Sequence, residues 1–196
     1  MSAGVFPGTD SIPERAEPVK PIASGLAALA LVSLAACGET ASQIPGMARP
    51  VAETVSPGDA SFVMQAASGG LAEVELGELA LERSSDQGVR NFAQQMISQH
   101  SLANEELAEL AAEKGLTPPT SLDPGRQAMS DMLGALSGTA FDRHYIIGQI
   151  QDHETQLALF QAQTELGDDP DLRAFAARHA PVIQQHAEMA RMLIQP

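Results

Sequence analysis

The sequence has no tryptophan, a single tyrosine (Tyr145) and a single cysteine (Cys37). Basic residues are scarce as well: 11 Lys and Arg stand against 25 Asp and Glu, a formal net charge of −14. A phosphate-binding surface needs a basic face, and single-stranded nucleic acid needs aromatic platforms, so nucleic acid is excluded as a partner. One cysteine forms no internal disulfide. No stretch alternates apolar and polar residues as a half-buried strand would. A nucleophile triad, a phosphate loop, a paired-cysteine motif and a haem attachment motif are all missing, and nothing supports an organic cofactor.

Long apolar runs are also rare. The longest, residues 22–36 (IASGLAALALVSLAA), falls short of the roughly 20 residues that a spanning helix needs. Lys20 precedes it and small residues end it, which is the layout of a secretory signal peptide over residues 19–36. Its end, Leu34-Ala35-Ala36-Cys37 followed by Gly38, resembles the lipobox of bacterial lipoproteins. That resemblance implies acylation of Cys37, and Gly38 after it is the outer-membrane sorting choice. The expected product is a periplasmic protein held at the outer membrane by its lipid, with an unidentified envelope partner as a further possibility. Residues 1–18 carry Asp10, Glu14 and Glu17, the wrong charge for the start of an export signal. They read as an extension upstream of the true start or as a disordered leader. Residues 37–58, with three prolines and no sustained period, read as the acylated cysteine and a flexible linker.

The folded domain is expected over residues 59–194. With 44% hydrophobic residues the chain can bury a core, and the apolar spacing there is helical throughout. A first helix over about residues 60–84 takes Asp59 as N-cap; Phe62, Ala66, Gly70, Val74 and Leu81 face inward. Its Gly69, Gly70 and Gly77 point to close approach of a neighbour. The second helix covers about residues 87–114 and ends at Gly115 before Pro118-Pro119. Residues 124–136 form a short helix capped by Asp123. Thr139 caps the third main helix, to Leu166, and Asp169-Pro170 opens a fourth in which Leu172, Phe175, Ile183, Met189 and Leu193 face inward. Pro181 lies inside it, where it removes a backbone donor. The economical architecture is all-α: an up-and-down four-helix bundle with a short extra helix before the third main helix.

Five segments carry a family resemblance: FVMQAASGGLAEVELGELAL from Phe62, QHSLANEELAELAAEKG from Gln99, LSGTAFDRHY from Leu136, DHETQLALF from Asp152 and FAARHAPVIQQHAEMA from Phe175. Together they resemble the ferritin-like family catalogued as domain of unknown function 4142, a family of predicted outer membrane proteins. The resemblance implies a ferritin-like bundle and an export signal but no activity. It departs at Gln99, where an acidic residue is usual, and so removes a possible carboxylate partner for His100.

Chemistry concentrates in ionisable residues on apolar faces. His153 sits within the stripe of Ile146, Ile150, Leu157 and Phe160; His100 lies between Met96 and Leu107; His179 and His186 share the inner side of the last helix. Counted from the two short turns taken as one end, Glu73, His100, His153 and His186 all stand roughly 15–25 Å along their helices. Four helices then offer one layer of imidazole and carboxylate, a donor set for a single zinc, copper or iron ion, with His179 as the alternative to His186. A di-iron carboxylate centre would need Glu-x-x-His pairs, but Ile97, Ile150 and Ile183 stand three residues before these histidines. His144 falls off the stripe and reads as a surface residue. Met96, Met129, Met132, Met189 and Met192 read as core rather than copper ligands. The competing reading is a non-catalytic envelope protein whose polar layer fixes helix register without metal.

Overall fold

The computed structural model describes residues 55–194. The readings of the leader, the signal peptide, Cys37 and nearly all of the linker lie outside the described residues. Within them the chain forms five helices and no strand: α1 (Pro57–Arg83), α2 (Gln87–Glu113), α3 (Pro124–Gly134), α4 (Gly138–Leu166) and α5 (Pro170–Ile194). None of these helices is long and apolar enough to cross a membrane.

The ends of the helices follow local chemistry, with two changes from expectation. Asp123 accepts hydrogen bonds from the backbone of Gly125 and Arg126, and Asp169 does the same for Asp171 and Leu172, so both Asp-Pro starts are capped. At the end of α2, Gly115 takes a φ of 70°. The Leu116 amide then reaches the Ala111 carbonyl and the Gly115 amide reaches that of Ala112, a Schellman ending. Thr139 caps nothing. The chain turns at Gly138, whose φ is 57°, and Ser137 takes the cap position without a side-chain bond.

Asp59 is the second change. Ser56 is the N-cap of α1, with its Oγ accepting from the Asp59 amide at 3.1 Å and Pro57 in the first turn. That frees the Asp59 carboxylate to point inward. There it accepts from Gln163 Nε2 at 2.6 Å and from the Asp169 amide at 2.9 Å. One buried carboxylate thus joins the start of α1 to the end of α4 and to the turn before α5. Burial is the largest influence on its ionisation and opposes it. The bonds from Gln163, Asp169 and Ser56 together outweigh burial and hold the carboxyl below its ordinary 3.8.

Around the bundle α1 packs on α2 and α4, and α5 on α4 and α2, which leaves α1–α5 and α2–α4 as diagonals. Every neighbouring pair is antiparallel, so the helices alternate in direction around the ring. The chain order differs from a simple zigzag. Phe62 at the start of α1 packs edge-on against Phe160 near the end of α4 (5.1 Å) and Phe175 near the start of α5 (6.3 Å). The two short turns therefore lie at opposite ends of the bundle, not at one end. The segment from Lys114 to Ser137 runs back along its length, with α3 laid over α1 and α4. This single long crossover is the connection that ferritin-like bundles use. Lys114 pairs with Asp169 (2.6 Å) and Asp171 (3.0 Å) at one end. Arg90 bonds the last carbonyls of α1 at the other.

Two apolar clusters fill the interior. One holds Phe62, Leu107, Phe160, Phe175 and Ile183; the other holds Phe92, Met96, Leu133, Tyr145 and Ile146. Gly77 sits where α1 and α2 touch: a Cβ there would meet Ile97 Cγ1 at 2.8 Å and the Ala93 carbonyl at 3.1 Å. Leu193 is exposed rather than inward, and Met129, Met132 and Met192 are surface residues; of the five methionines read as core only Met96 is fully buried. Position near a helix end, or on α3, takes Met129, Met132 and Met192 away from the interior, while Met189 is half-buried against the second cluster.

Replacing Asp59 with alanine strands the buried Gln163 amide and should cost about 2–3 kcal/mol in urea unfolding. Because the folded carboxyl sits below 3.8, its stabilisation is full above the unfolded value and fades as pH falls through the folded one. The gap between parent and Asp59→Ala should close below pH 3.8; a constant gap down to strong acid would contradict this account.

Candidate metal centre

Between the two apolar clusters lies a polar layer. His153 and Glu73 are each 1% exposed, as is His186. His100 is part-buried as a residue, yet its Nε2 has no access to solvent. The rings form a near-equilateral triangle, with centroids 5.5 Å (His100–His153), 5.3 Å (His100–His186) and 5.2 Å (His153–His186) apart. Each offers one nitrogen, and these three atoms lie within 4.8 Å of one another.

Hydrogen bonds orient two of the rings. His153 Nδ1 donates to the Gln149 carbonyl, one turn back on α4, at 2.8 Å. Its Nε2 is then the lone-pair nitrogen, and it has no partner. His186 Nε2 donates to Gln99 Oε1 on α2, which leaves His186 Nδ1 as the free acceptor. With His100 Nε2 also unpartnered, three buried ring nitrogens lack any protein donor. A buried acceptor without a partner is costly. Satisfying the far nitrogen of a ring through a carbonyl or amide is how metal-ligating histidines are held.

The electrostatics keep the rings neutral. Burial is the main reason that His100 lies well below the usual histidine range, followed by repulsion from His153 and His186. His186 is pushed down to about 3 by burial and then by His153. His153 is lowered by burial, against the opposing bond to Gln149. A neutral imidazole is the form that binds metal.

Glu73 and His179 stand outside the cluster. Glu73 shares the layer but approaches His153 at its Nδ1, 3.9 Å away, not at the free Nε2. Its carboxyl is held well above the ordinary range by burial and by the neighbouring Asp152. His179, one outward step along α5, bonds Glu106 Oε2 at 2.9 Å. His144 is exposed, as the helical spacing predicts. One role differs from the sequence reading. Gln99 serves His186 on α5 rather than its own neighbour His100, because α2 and α5 run antiparallel with these positions opposed. Asp152, beside His153 in the chain, pairs with Arg126 of α3 at 3.3 Å. No spacing in the sequence signals that pairing, which depends on where α3 docks. A cavity of about 40 Å³ adjoins His100 and His186, with Ala103, Asn104, Gln156 and Phe175 among its walls.

Fold and site together define an all-α bundle of unknown function whose core carries three histidines able to hold a metal ion. The family model described as Domain of unknown function (DUF4142) matches residues 45–193, and the chain belongs to that family. No curated protein matches it. Among solved structures it is similar to a DUF305 fragment from Deinococcus radiodurans, with a TM-score of 0.63 and 17% identity over 71% of this chain and 97% of that one. It is also similar to a conserved hypothetical protein from Mycobacterium tuberculosis, with a TM-score of 0.54 and 17% identity over 71% and 93%. At that identity the likeness is one of fold.

The lowered histidines set a pH dependence for the metal-free protein. Below the ordinary histidine value of 6.5 an unfolded chain takes up protons on three rings that burial makes the folded one resist. Glu73 has the opposite sign, holding one proton that the unfolded chain releases. Three against one leaves stability falling as pH drops from about 6.5. Thermal midpoints taken in chelator should decline from pH 7 to pH 5, and a flat profile would mean that the rings are not kept neutral.

Proposed function

We propose that this protein is an exported lipoprotein, anchored at the outer membrane through Cys37, whose ferritin-like bundle binds one transition metal through His100, His153 and His186. One observation carries the metal reading: histidines from three helices each offer a ring nitrogen within 4.8 Å of the others, and each has a buried ring nitrogen without a partner. Three neutral imidazoles suit zinc, copper or iron, and three protein ligands are the number found in zinc sites that keep a position open. The small cavity beside His100 and His186 offers room for a water or another small ligand at that position. Glu73 lies behind His153, 3.9 Å from its Nδ1. The absence of bridging carboxylates argues for one ion rather than two, and for sensing, sequestration or a single-ion reaction rather than iron storage. Export and anchoring rest on the apolar run and the lipobox-like Leu34-Ala35-Ala36-Cys37. The long crossover between α2 and α4 supports the ferritin-like assignment.

The test is elemental mass spectrometry on the full chain, purified without affinity histidines, beside His100→Ala/His153→Ala. Near-stoichiometric zinc, copper or iron is expected in the parent and none in the variant. No metal in either, after reconstitution with all three ions, would leave the layer as a register-fixing device. Gln99→Ala should keep the stoichiometry but weaken affinity about 10–100-fold in chelator competition, because it frees the His186 ring. Unchanged affinity would remove Gln99 from the site.

A further inference from the structure

Among the described residues nine buried side-chain atoms have no hydrogen-bond partner. Three are the histidine nitrogens. Five others belong to four residues on the far side of His153: both carboxylate oxygens of Glu73, the Tyr145 hydroxyl, Gln149 Oε1 and Asp152 Oδ2. All five are oxygens; the donors among them are the tyrosine hydroxyl and Glu73 when it holds a proton, which it can share with Asp152. Tyr145, Gln149 and Asp152 fall at i, i+4 and i+7 on α4, so they line one face of it. Glu73 comes from α1, packed alongside. Tyr145, Gln149 and Glu73 are each 1% exposed, so water outside the protein does not satisfy them.

Helix α3 closes this compartment. Ser130 Oγ donates to Glu75 Oε1 at 2.7 Å and pins α3 to α1. Arg126 reaches across to Asp152 Oδ1 at 3.3 Å. That guanidinium pairs with one oxygen of Asp152 and acts on Glu73 only from a distance, too weakly to offset its burial. Tyr145, Gln149, Asp152 and Arg126 also line a cavity of about 440 Å³ whose rim carries the exposed Asp123 and Gln151. Tyr145, Gln149 and Asp152 therefore border an opening to solvent that no histidine lines.

Burying a carboxylate costs heavily unless a positive partner is supplied. A proton on Glu73 satisfies one oxygen, whereas a cation is coordinated by several at once. Carboxylate, amide carbonyl and hydroxyl oxygens without nitrogen or sulfur form a donor set for the hard divalent ions. We propose that Glu73, Asp152, Gln149 and Tyr145 form a second, oxygen-lined site for a hard divalent cation, separate from the three histidines. The inference does not rest on the histidine reading.

The experiment titrates Mn²⁺ into the metal-free full chain and follows the free ion by electron paramagnetic resonance. The parent, His100→Ala/His186→Ala, Glu73→Gln and Asp152→Asn are compared, each first shown to be helical by circular dichroism. One tight equivalent is expected in the parent and in the histidine variant, with Ca²⁺ or Mg²⁺ in excess displacing it. Glu73→Gln and Asp152→Asn should each weaken it at least about ten-fold, a loss of carboxylate ligation. Asp152, part-buried, serves if Glu73→Gln fails to fold. Tight binding lost with the histidines, or weak binding that neither carboxylate variant alters, would overturn the proposal, the latter being the behaviour of surface carboxylates. Zinc, copper and iron all failing to bind while Mn²⁺ binds would overturn the histidine reading and leave this one standing.

Discussion

The bundle depends on a polar layer placed midway between two apolar clusters. Burial of polar groups is tolerated when each finds a partner and costly when it does not. The protein meets this requirement selectively. His153 Nδ1 and His186 Nε2 are satisfied from within, while the other nitrogen of each ring is left bare. The same division recurs at Asp152, where Arg126 takes one oxygen and leaves the other. Apolar packing helps to hold the rings in place: Phe92 stands edge-on to His153 at 6.5 Å.

The path of the chain determines how that layer is enclosed. Had α2 and α4 been joined by a short turn, the groove between α1 and α4 would lack a cover. The crossover instead carries α3 along it, with Leu133 in the core and Arg126 over Asp152. Glu73 is sealed from solvent as a result. Asp59 does the complementary work at the far end, where one carboxylate ties α1, α4 and the start of α5. A bundle fastened at its ends keeps its middle in register, and register is what brings three rings from three helices to one point.

The family is described as one of unknown function, and the two solved structures at 17% identity show a likeness of fold alone. Function is therefore argued from the site. The histidines offer nitrogen and the compartment behind His153 offers oxygen, so one helical layer presents two donor chemistries on opposite sides of a single ring. The neutral state of the rings follows from burial and from one another, and it suits them to metal rather than to carrying charge.

Helical spacing, Asp-Pro starts, the Gly115 ending and the height of His100, His153 and His186 were legible in the sequence, because each depends on local backbone chemistry or on the helical period. The layer survived a mistaken assumption about the ends: residues near helix midpoints meet whichever way the connection runs. The service of Gln99 to His186, the bonding of Asp59 to Gln163 and Asp169, the exclusion of Glu73 and His179 from the triangle, and the pairing of Arg126 with Asp152 were decided by tertiary structure alone. Each turns on which helix lies opposite and in which direction, and no spacing within a single helix carries that information. The sequence determined what each helix could offer; the packing of five helices decided which offers meet.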